Sequence, residues 1–197
     1  KEDTWGSEAS STASTYRTLA SSYNHLNQND EALIYYNKSL STYKKLYGEN
    51  HPQVASVYYG LSNVYRDIGD QKRALFFAEE SLAITIKTFG EKHIETGKFF
   101  NSIAMIYEEM KDYRTAIKFF KKALEIFERT YGSNNIKTSY IYFNISHLFY
   151  MIGEPNKALD YCRKSLHIKE QVLGVNHPQT RENMNCIMQI FSGPYDS

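Results

Sequence analysis

The chain of 197 residues carries 23 Lys and Arg against 22 Asp and Glu, a formal net charge of +1, with both signs interspersed. Binders of nucleic acids or membrane surfaces usually carry a basic stripe or an unbalanced charge, so the composition argues against both kinds of partner. No apolar run reaches the roughly 18 residues of a membrane span, and no signal-peptide pattern opens the sequence. We therefore predict a cytoplasmic protein that binds no nucleic acid and inserts into no membrane.

Four segments of the chain superimpose at a spacing of 42 residues without insertion or deletion. The positions that recur are the alanines Ala32, Ala74, Ala116 and Ala158, the leucines Leu40, Leu82, Leu124 and Leu166, and the glycines Gly48, Gly90, Gly132 and Gly174. Self-similarity at this period indicates a solenoid, in which each unit buries its apolar face against its neighbours. Such arrays usually bind other molecules rather than transform them.

Each unit is predicted to be a pair of amphipathic helices. In the second unit Leu61, Val64, Tyr65 and Ile68 fall at i, i+3, i+4 and i+7, which is the spacing of one helix face. A turn follows, where an Asp such as Asp70 or Asp112 can cap the next helix. The second helix is predicted to end before the recurring glycine in a left-handed backbone conformation, and Pro52 and Pro178 open the following helix.

Small side chains recur where the two helices of a unit are expected to cross. Close approach of helices needs such residues, and each unit supplies Ala or Ser at three positions. The twelve positions are Ala20, Ala32, Ser39, Ser62, Ala74, Ser81, Ala104, Ala116, Ala123, Ser146, Ala158 and Ser165. Bulky partners fill the spaces between them, among them Tyr16, Tyr36, Tyr58, Phe100 and Tyr142.

This arrangement resembles the tetratricopeptide repeat (TPR), with its pattern aromatic-x-x-Leu-Gly/Ala-x-x-Tyr followed by Ala, Phe and Ala, over nearly the whole chain. The 42-residue unit with its Gly-x-x-His-Pro linker is similar to that of the kinesin light chain subfamily. The resemblance implies an all-α fold, a right-handed superhelical solenoid of antiparallel helix pairs.

The register of the repeat gives the expected boundaries along the chain. Residues 1–6 are the end of a preceding repeat helix, the four repeats occupy 7–48, 49–90, 91–132 and 133–174, a C-terminal capping helix occupies 175–191, and a tail occupies 192–197. The apolar face of the capping helix is predicted to be Ile187, Ile190 and Phe191. Since the first residues look like part of an earlier unit and no initiator Met is present, we expect a segment of a longer protein.

Catalytic motifs such as H-E-x-x-H, G-x-S-x-G and the P-loop are not found in the sequence. His51, His93 and His177 occupy equivalent linkers, which favours a role in starting the next helix over metal binding. Cys162 and Cys186 form no C-x-x-C pair and are interpreted as small packed hydrophobic residues. The sequence thus predicts no enzyme, no cofactor and no metal site.

The TPR resemblance implies that the first helix of each pair lines a concave face and offers its non-packing side to a peptide. Carrying this geometry over residue by residue gives a predicted peptide-binding groove of Arg17, Asn24, Tyr59, Asn63, Arg66, Lys98, Asn101, Met105, Glu108, Tyr140, Phe143, His147, Tyr150, Asn185 and Gln189. Its early part is basic and its late part is aromatic, which suits a peptide with acidic residues at one end and apolar anchors at the other. The Asn side chains can pair with peptide amides.

Two TPR subfamilies offer comparisons for this groove. Kinesin light chains carry a Leu-Asn-Asn-Leu-Ala pattern in each first helix, of which this sequence keeps fragments such as Asn101-Ser102 and Phe143-Asn144. Chaperone-binding TPRs hold a C-terminal carboxylate in a basic and Asn clamp. Arg17 and Lys98 fit that clamp, but Ser21, Gly60 and Ser102 replace its other partners, so chaperone tails are not the expected ligand.

The sequence therefore predicts a non-enzymatic protein–protein interaction module, an adaptor or scaffold that binds a peptide or helical segment of a partner on its concave face. Two alternatives stay open. One is a structural or homo-oligomerisation scaffold without a peptide ligand, in which self-association replaces groove binding. The other is a regulatory TPR segment of a larger multidomain protein.

Overall fold

The computed structural model describes residues 2–192, with the side chains of residues from Gly6 onward. Within this range the chain forms nine α-helices and no strand, which confirms the all-α repeat fold. The helices are α1 (Glu2–His25), α2 (Asn29–Tyr47), α3 (Pro52–Ile68), α4 (Gln71–Phe89), α5 (Ile94–Glu109), α6 (Tyr113–Tyr131), α7 (Ile136–Met151), α8 (Pro155–Leu173) and α9 (Pro178–Ser192). The chain divides into two compact units, one ending at Phe99 and the other starting at Phe100. Over the described range, none of the helices is both long and apolar enough to span a bilayer.

The predicted helix starts are confirmed. Asp70 Oδ1 accepts a hydrogen bond from the Arg73 N–H at 2.9 Å, and Asp112 Oδ1 accepts one from the Thr115 N–H at 3.1 Å. These bonds satisfy one of the backbone donors that a helix leaves unpaired in its first turn. Pro52 and Pro178 begin α3 and α9, where a missing N–H costs nothing.

The linker histidines start helices, as their recurrence predicted. In each case Nδ1 accepts a hydrogen bond from the backbone N–H two residues later. The bonds are His51 with Gln53 at 3.3 Å, His93 with Glu95 at 3.2 Å, and His177 with Gln179 at 3.3 Å. Asn135 takes the same place before α7, with its Oδ1 accepting from Lys137 N–H at 2.9 Å. A ring nitrogen occupied in this way is not available to a metal.

The glycines after α2, α4, α6 and α8 have φ between 80° and 89°, the positive values predicted for them. Their ψ values lie between 157° and 173°, so the chain leaves the helix in an extended direction rather than in a compact left-handed turn. Few other residue types adopt this backbone without strain.

The boundary expected at Gly6 is not a helix end, because α1 runs through it from Glu2 to His25. The sequence explains the difference. Ala9 and Ser10 stand where the later linker has His51 and Pro52, so the signals that start a new helix are missing after Gly6. Residues 2–6 are therefore part of the first helix of this chain, and residue 1 lies outside the described range.

All twelve small residues at the predicted helix crossings are buried, with at most 1% of their surface exposed. The serines among them also donate hydrogen bonds to backbone carbonyls of the facing helix. These bonds are Ser39 to Ala13 at 2.8 Å, Ser62 to Ala74 at 2.8 Å, Ser81 to Ala55 at 2.7 Å, Ser146 to Ala158 at 2.7 Å and Ser165 to Ser139 at 2.8 Å. A buried hydroxyl without a partner would be costly, so these contacts make Ser acceptable where Ala is the alternative.

The prediction for the apolar face of α9 is wrong at one residue. Ile190 is buried, but Phe191 is 66% exposed. The equivalent residue of the preceding repeat, Phe149, stacks on Tyr161 of α8 with ring centroids 5.5 Å apart. No helix follows α9 within the described residues, so Phe191 has no such ring to pack against.

Gly60 lies in the middle of α3 because the ring of Tyr36 occupies the place of a side chain. A Cβ added at Gly60 would lie 2.3 Å from two ring carbons of Tyr36. Tyr36 itself is 5% exposed, so its ring has little room to move.

Replacing Gly60 by Ala should lower the free energy of unfolding by about 1–3 kcal/mol, the usual cost of overpacking. Helix propensity alone would favour Ala by about 1 kcal/mol, so the sign of the effect shows which term dominates. Urea denaturation followed by circular dichroism measures it. Gly6→Ala in α1 is the matched control, because nothing lies within 4 Å of its added Cβ. Equal effects at both sites would contradict the assigned contact with Tyr36.

Candidate peptide-binding surface

All fifteen residues of the predicted groove lie on the first helices of the pairs, α1, α3, α5 and α7, or on α9. Every one of them is partly or fully exposed. The residues between them on the same helices, such as Ala20, Leu61, Ile103 and Ile145, are buried. The helical period thus separates the core positions from a set of side chains that a ligand can reach, as expected for an amphipathic helix.

In the second unit α7 and α9 form a cavity of about 520 Å³. Its lining consists of Phe143 and His147 from α7 and of Pro178, Arg181, Glu182, Asn185, Cys186 and Gln189 from α9. Four of these residues, Phe143, His147, Asn185 and Gln189, belong to the predicted groove. The structure therefore brings together predicted residues from two helices about one repeat apart.

Pro178, Arg181, Glu182 and Cys186 line the cavity but were missed in the sequence. The repeat itself contained a signal for two of them, since adding 42 to Tyr140 gives Glu182 and adding 42 to Asn144 gives Cys186. Pro178 precedes Glu182 by four residues and so lies one helical turn earlier on the same face.

An ion pair links His147 to the neighbouring first helix in this unit. Its Nδ1 lies 3.1 Å from Glu108 Oε1, and both residues belong to the predicted groove. The hydrogen bond to the carboxylate raises the pKa of His147 above its usual value, while partial burial opposes the rise. The imidazole therefore holds its proton more tightly than a free histidine does.

The lining of the cavity has mixed chemical character. Phe143 offers an apolar surface, Arg181 and Glu182 supply both charges, and the amides of Asn185 and Gln189 can each donate and accept hydrogen bonds. In the part of the chain that the structure describes, no three His, Cys, Asp or Glu side chains are grouped in a way that could hold a metal ion.

A buried lysine lies behind the aromatic residues of α7. Lys169 of α8 is 1% exposed, and its Nζ lies 4.6 Å from the ring centre of Phe143 and 5.3 Å from that of Tyr140. The same Nζ donates a hydrogen bond to Asn183 Oδ1 at 2.7 Å. Burial lowers the pKa of Lys169. One face of the Phe143 ring is thus engaged by a cation, which fixes the ring that the cavity presents.

Lys169 and Asn183 replace apolar residues of the repeat. One repeat earlier the equivalent positions hold Phe127 and Ile141, and Ile141 is buried. The polar pair therefore departs from the apolar pair of the preceding repeat. A sequence analysis based on what the repeats share does not detect it.

The predicted residues of α1 and α3 form a second accessible face, which lies in the first unit. Asn24 Nδ2 donates to Asp67 Oδ2 at 2.9 Å, and Arg66 Nη2 lies 3.6 Å from Asp67 Oδ1. Tyr59 packs edge-to-face on Phe99, with ring centroids 5.2 Å apart. Two polar atoms of this face, Arg17 Nε and Asn24 Oδ1, are buried without a hydrogen-bond partner.

Ion pairs reduce the positive character predicted for the early part of the groove. Lys98 Nζ lies 2.6 Å from Glu95 Oε1, and Arg66 is paired with Asp67. Counting charges along the sequence misses this neutralisation, because the acidic partners are not themselves groove residues. Arg17 differs from these two cations, because its Nε is a buried donor without a hydrogen-bond partner.

The Lys169–Asn183 pair yields a prediction about stability. Asn183→Leu removes the acceptor of a buried ammonium and should lower the free energy of unfolding by about 1–3 kcal/mol. The double variant Lys169→Phe, Asn183→Ile restores the residue types of the preceding repeat and should be at least as stable as the unmodified chain, because apolar pairs often match or exceed buried polar ones. Urea denaturation of both variants measures the difference. A double variant less stable than Asn183→Leu would contradict this account.

The His147–Glu108 pair yields a prediction about pH. Because the folded pKa of His147 is raised above 6.5, the stabilisation by this pair is fully present below that pH and is lost as the pH rises through the folded value. The stability difference between the unmodified chain and His147→Gln should therefore be larger at about pH 6 than at about pH 8.5. Denaturation curves at the two pH values measure it. In a Glu108→Gln background the pH dependence of the effect of His147→Gln should become smaller, because only the weaker influence of Cys186 remains. An undiminished pH dependence there would contradict the assignment of Glu108 as the main partner.

Known protein families also contain this repeat. A family model described as the tetratricopeptide repeat matches residues 11–87 and 94–171. No curated protein matches the sequence.

Several solved structures share the fold. BtubC (BKLC) from P. vanneervenii is 19% identical with a TM-score of 0.79, and the match covers 95% of this chain and 82% of that one. A putative kinesin light chain with nearly identical TPR-like repeats from Podosopora anserina is 17% identical with a TM-score of 0.80, covering 93% and 87%. Aspartyl phosphate phosphatase F from Bacillus subtilis is 19% identical with a TM-score of 0.81, covering 94% of this chain and 46% of that one. The chain belongs to the tetratricopeptide repeat family and has a fold like that of kinesin-light-chain-like repeats.

Proposed function

We propose that this chain is a non-enzymatic protein–protein interaction module, an adaptor or scaffold of the cytoplasm that binds a peptide or helical segment of a partner protein. The observation that carries the proposal is the cavity between α7 and α9. The TPR resemblance implied a groove that includes Phe143, His147, Asn185 and Gln189, and all four of these residues line this cavity.

The dimensions and lining of the cavity suit one apolar side chain of a peptide together with its flanking backbone. Its volume of about 520 Å³ lies within the roughly 300–1,000 Å³ of typical ligand sites. Phe143 would contact the apolar side chain. Asn185 and Gln189 would each pair with an N–H and a C=O of the ligand backbone, which fixes the peptide without reading its sequence.

The face of α1 and α3 suits an acidic stretch of the ligand. Arg17 Nε and Asn24 Oδ1 are buried without partners, and a buried polar atom of this kind is destabilising until it is paired. Arg17 as a whole is partly exposed, so a ligand carboxylate would accept from its terminal guanidinium nitrogens. The ion pair of Arg66 with Asp67 leaves this face weakly basic, so steering by charge is expected to be modest.

An enzymatic function finds little support. The sequence lacks the motifs of the common nucleophile, metal and phosphate sites. The phosphatase among the similar structures shares 19% identity, and this chain covers 46% of it, so the likeness extends to the fold alone. We propose that the chain uses no cofactor.

Self-association is the other alternative that a specific observation favours. Met188 and Phe191 of α9 are 59% and 66% exposed. If this apolar patch joins two copies, Phe191→Glu will lower the mass measured by sedimentation equilibrium. A groove-binding module instead predicts the same mass for both proteins.

The ligands for the main test are peptides from a random display library, selected for binding to the whole chain. Gln189→Trp should fill the cavity from its exposed rim and weaken binding by about 2 kcal/mol at every salt concentration. Arg66→Glu should weaken binding chiefly at low salt, because rim charges act through screened electrostatics. Titration calorimetry at two ionic strengths measures both effects.

The controls for this test carry equivalent changes on α4, outside the predicted groove. Phe76→Trp alters an aromatic residue that is 55% exposed, and Lys72→Glu reverses an exposed charge. Both should bind the selected peptides as the unmodified chain does, and circular dichroism should show unchanged helix content in all four variants. If Gln189→Trp and Arg66→Glu also bind normally, the first helices are not the binding surface and the self-association model replaces it.

A further inference from the structure

The two cysteines of the chain meet where α8 packs on α9. Cys162 of α8 is fully buried, and its Sγ donates to the backbone carbonyl of Asn183 at 3.5 Å. The Asn183 side chain in turn donates to the carbonyl of Cys162 at 3.4 Å. Cys186 follows Asn183 by three residues and so lies on the same face of α9. The two thiols are close enough for each to shift the pKa of the other.

The two thiols differ in their access to solvent. Cys186 lines the α7–α9 cavity and is partly exposed, so a small reagent can reach its sulfur. Cys162 lies behind it with no exposed surface. This arrangement of one accessible and one shielded thiol is that of an attacking cysteine and a resolving cysteine.

The electrostatic environment separates the thiols further. The neighbouring Cys162 thiol, together with Ser146 and the nearby charge of His147, lowers the pKa of Cys186, although burial and Glu182 oppose the change. The neighbouring Cys186 thiol and burial both raise the pKa of Cys162. The directions of these shifts favour Cys186 over Cys162 as the thiolate, which is the reactive form of a cysteine.

We propose that Cys186 is a peroxide-reactive site in the wall of the α7–α9 cavity and that Cys162 resolves it to a disulfide joining α8 to α9. The inference goes beyond peptide binding and does not depend on it. In a cytoplasmic protein such a bond would be transient and regulatory rather than structural.

The reaction balances with hydrogen peroxide as the oxidant. The Cys186 thiolate attacks one peroxide oxygen, the O–O bond breaks, and the sulfenic acid and hydroxide form. The Cys162 sulfur then attacks the Cys186 sulfur, the S–O bond breaks, and water leaves with the Cys162 proton. The hydroxide takes up the proton that Cys186 released when it ionised and becomes the second water. Two thiols are thereby oxidised to one disulfide, and one hydrogen peroxide is reduced to two waters.

The test uses the whole chain treated with hydrogen peroxide at neutral pH. Intact mass under non-reducing conditions should show the loss of two hydrogens, reversed by dithiothreitol, and a peptide map should show a bond between Cys162 and Cys186. In Cys162→Ser the reaction should stop at a sulfenic acid on Cys186, which dimedone traps. In Cys186→Ser the buried Cys162 should stay unmodified.

The urea-unfolded chain at the same pH is the matched control for reactivity. We expect Cys186 of the folded chain to react at least threefold faster with peroxide than in the unfolded chain, where neither Cys162 nor His147 acts on it. Equal or slower reaction of the folded chain would overturn the proposal. Glutathione added to the same sample shows whether the peroxide was active. If the glutathione is oxidised while both cysteines of the chain remain free thiols, the proposal is also overturned.

A consequence for ligands rests on the proposed function. An S–S bond of about 2.05 Å is shorter than any contact between two thiols, so oxidation should draw Cys186 away from the cavity and towards Cys162. Peptides that bind the cavity should then change affinity at least threefold between the oxidised and reduced chains. An unchanged affinity would overturn this consequence, whereas the mass measurement tests the modification separately.

Discussion

The close approach of paired helices at small residues is the constraint on which this structure depends. All twelve crossing positions hold Ala or Ser and are buried. A larger side chain would push the helices apart, and a hydroxyl without a partner would be costly in a dry interface. The serines avoid that cost by bonding a carbonyl of the facing helix, as Ser81 does with Ala55. Once these crossings are fixed, the remaining faces of the first helices are free for ligands.

The candidate chemistry lies where the fourth repeat and α9 depart from the pattern of the others. Lys169 and Asn183 replace the apolar residues seen one repeat earlier, and together they hold Phe143 from behind. Cys186 stands where the preceding repeat has Asn144 and places a sulfur in the cavity wall. Positions that break a local rule in an otherwise consistent sequence are the places where function is expected.

Basic residues that look unpaired in the sequence are neutralised by nearby carboxylates in the structure. Arg66 and Lys98 suggested a basic stretch, but each has a carboxylate within 4 Å, Asp67 and Glu95 respectively. Exposed pairs of this kind add little stability, yet they cancel much of the field that a ligand would meet. His147 shows the opposite case, because its pairing with Glu108 strengthens its hold on a proton and makes it a more persistent cation.

Periodicity in the sequence was sufficient for the helix pairs, the small crossing residues, the role of the linker histidines and the choice of first-helix residues that stay accessible. These features repeat, and each is set by spacing along one or two helices. Periodicity was insufficient where a residue depends on a partner that the period does not specify. The Lys169–Asn183 and Cys162–Cys186 contacts join different helices at positions that do not recur, so only the tertiary structure reveals them. Phe191 and Gly6 were misassigned for a related reason, because both were placed by the register alone. Phe191 lacks the aromatic ring that packs on the equivalent Phe149, and Gly6 lacks the His-Pro linker that follows Gly48.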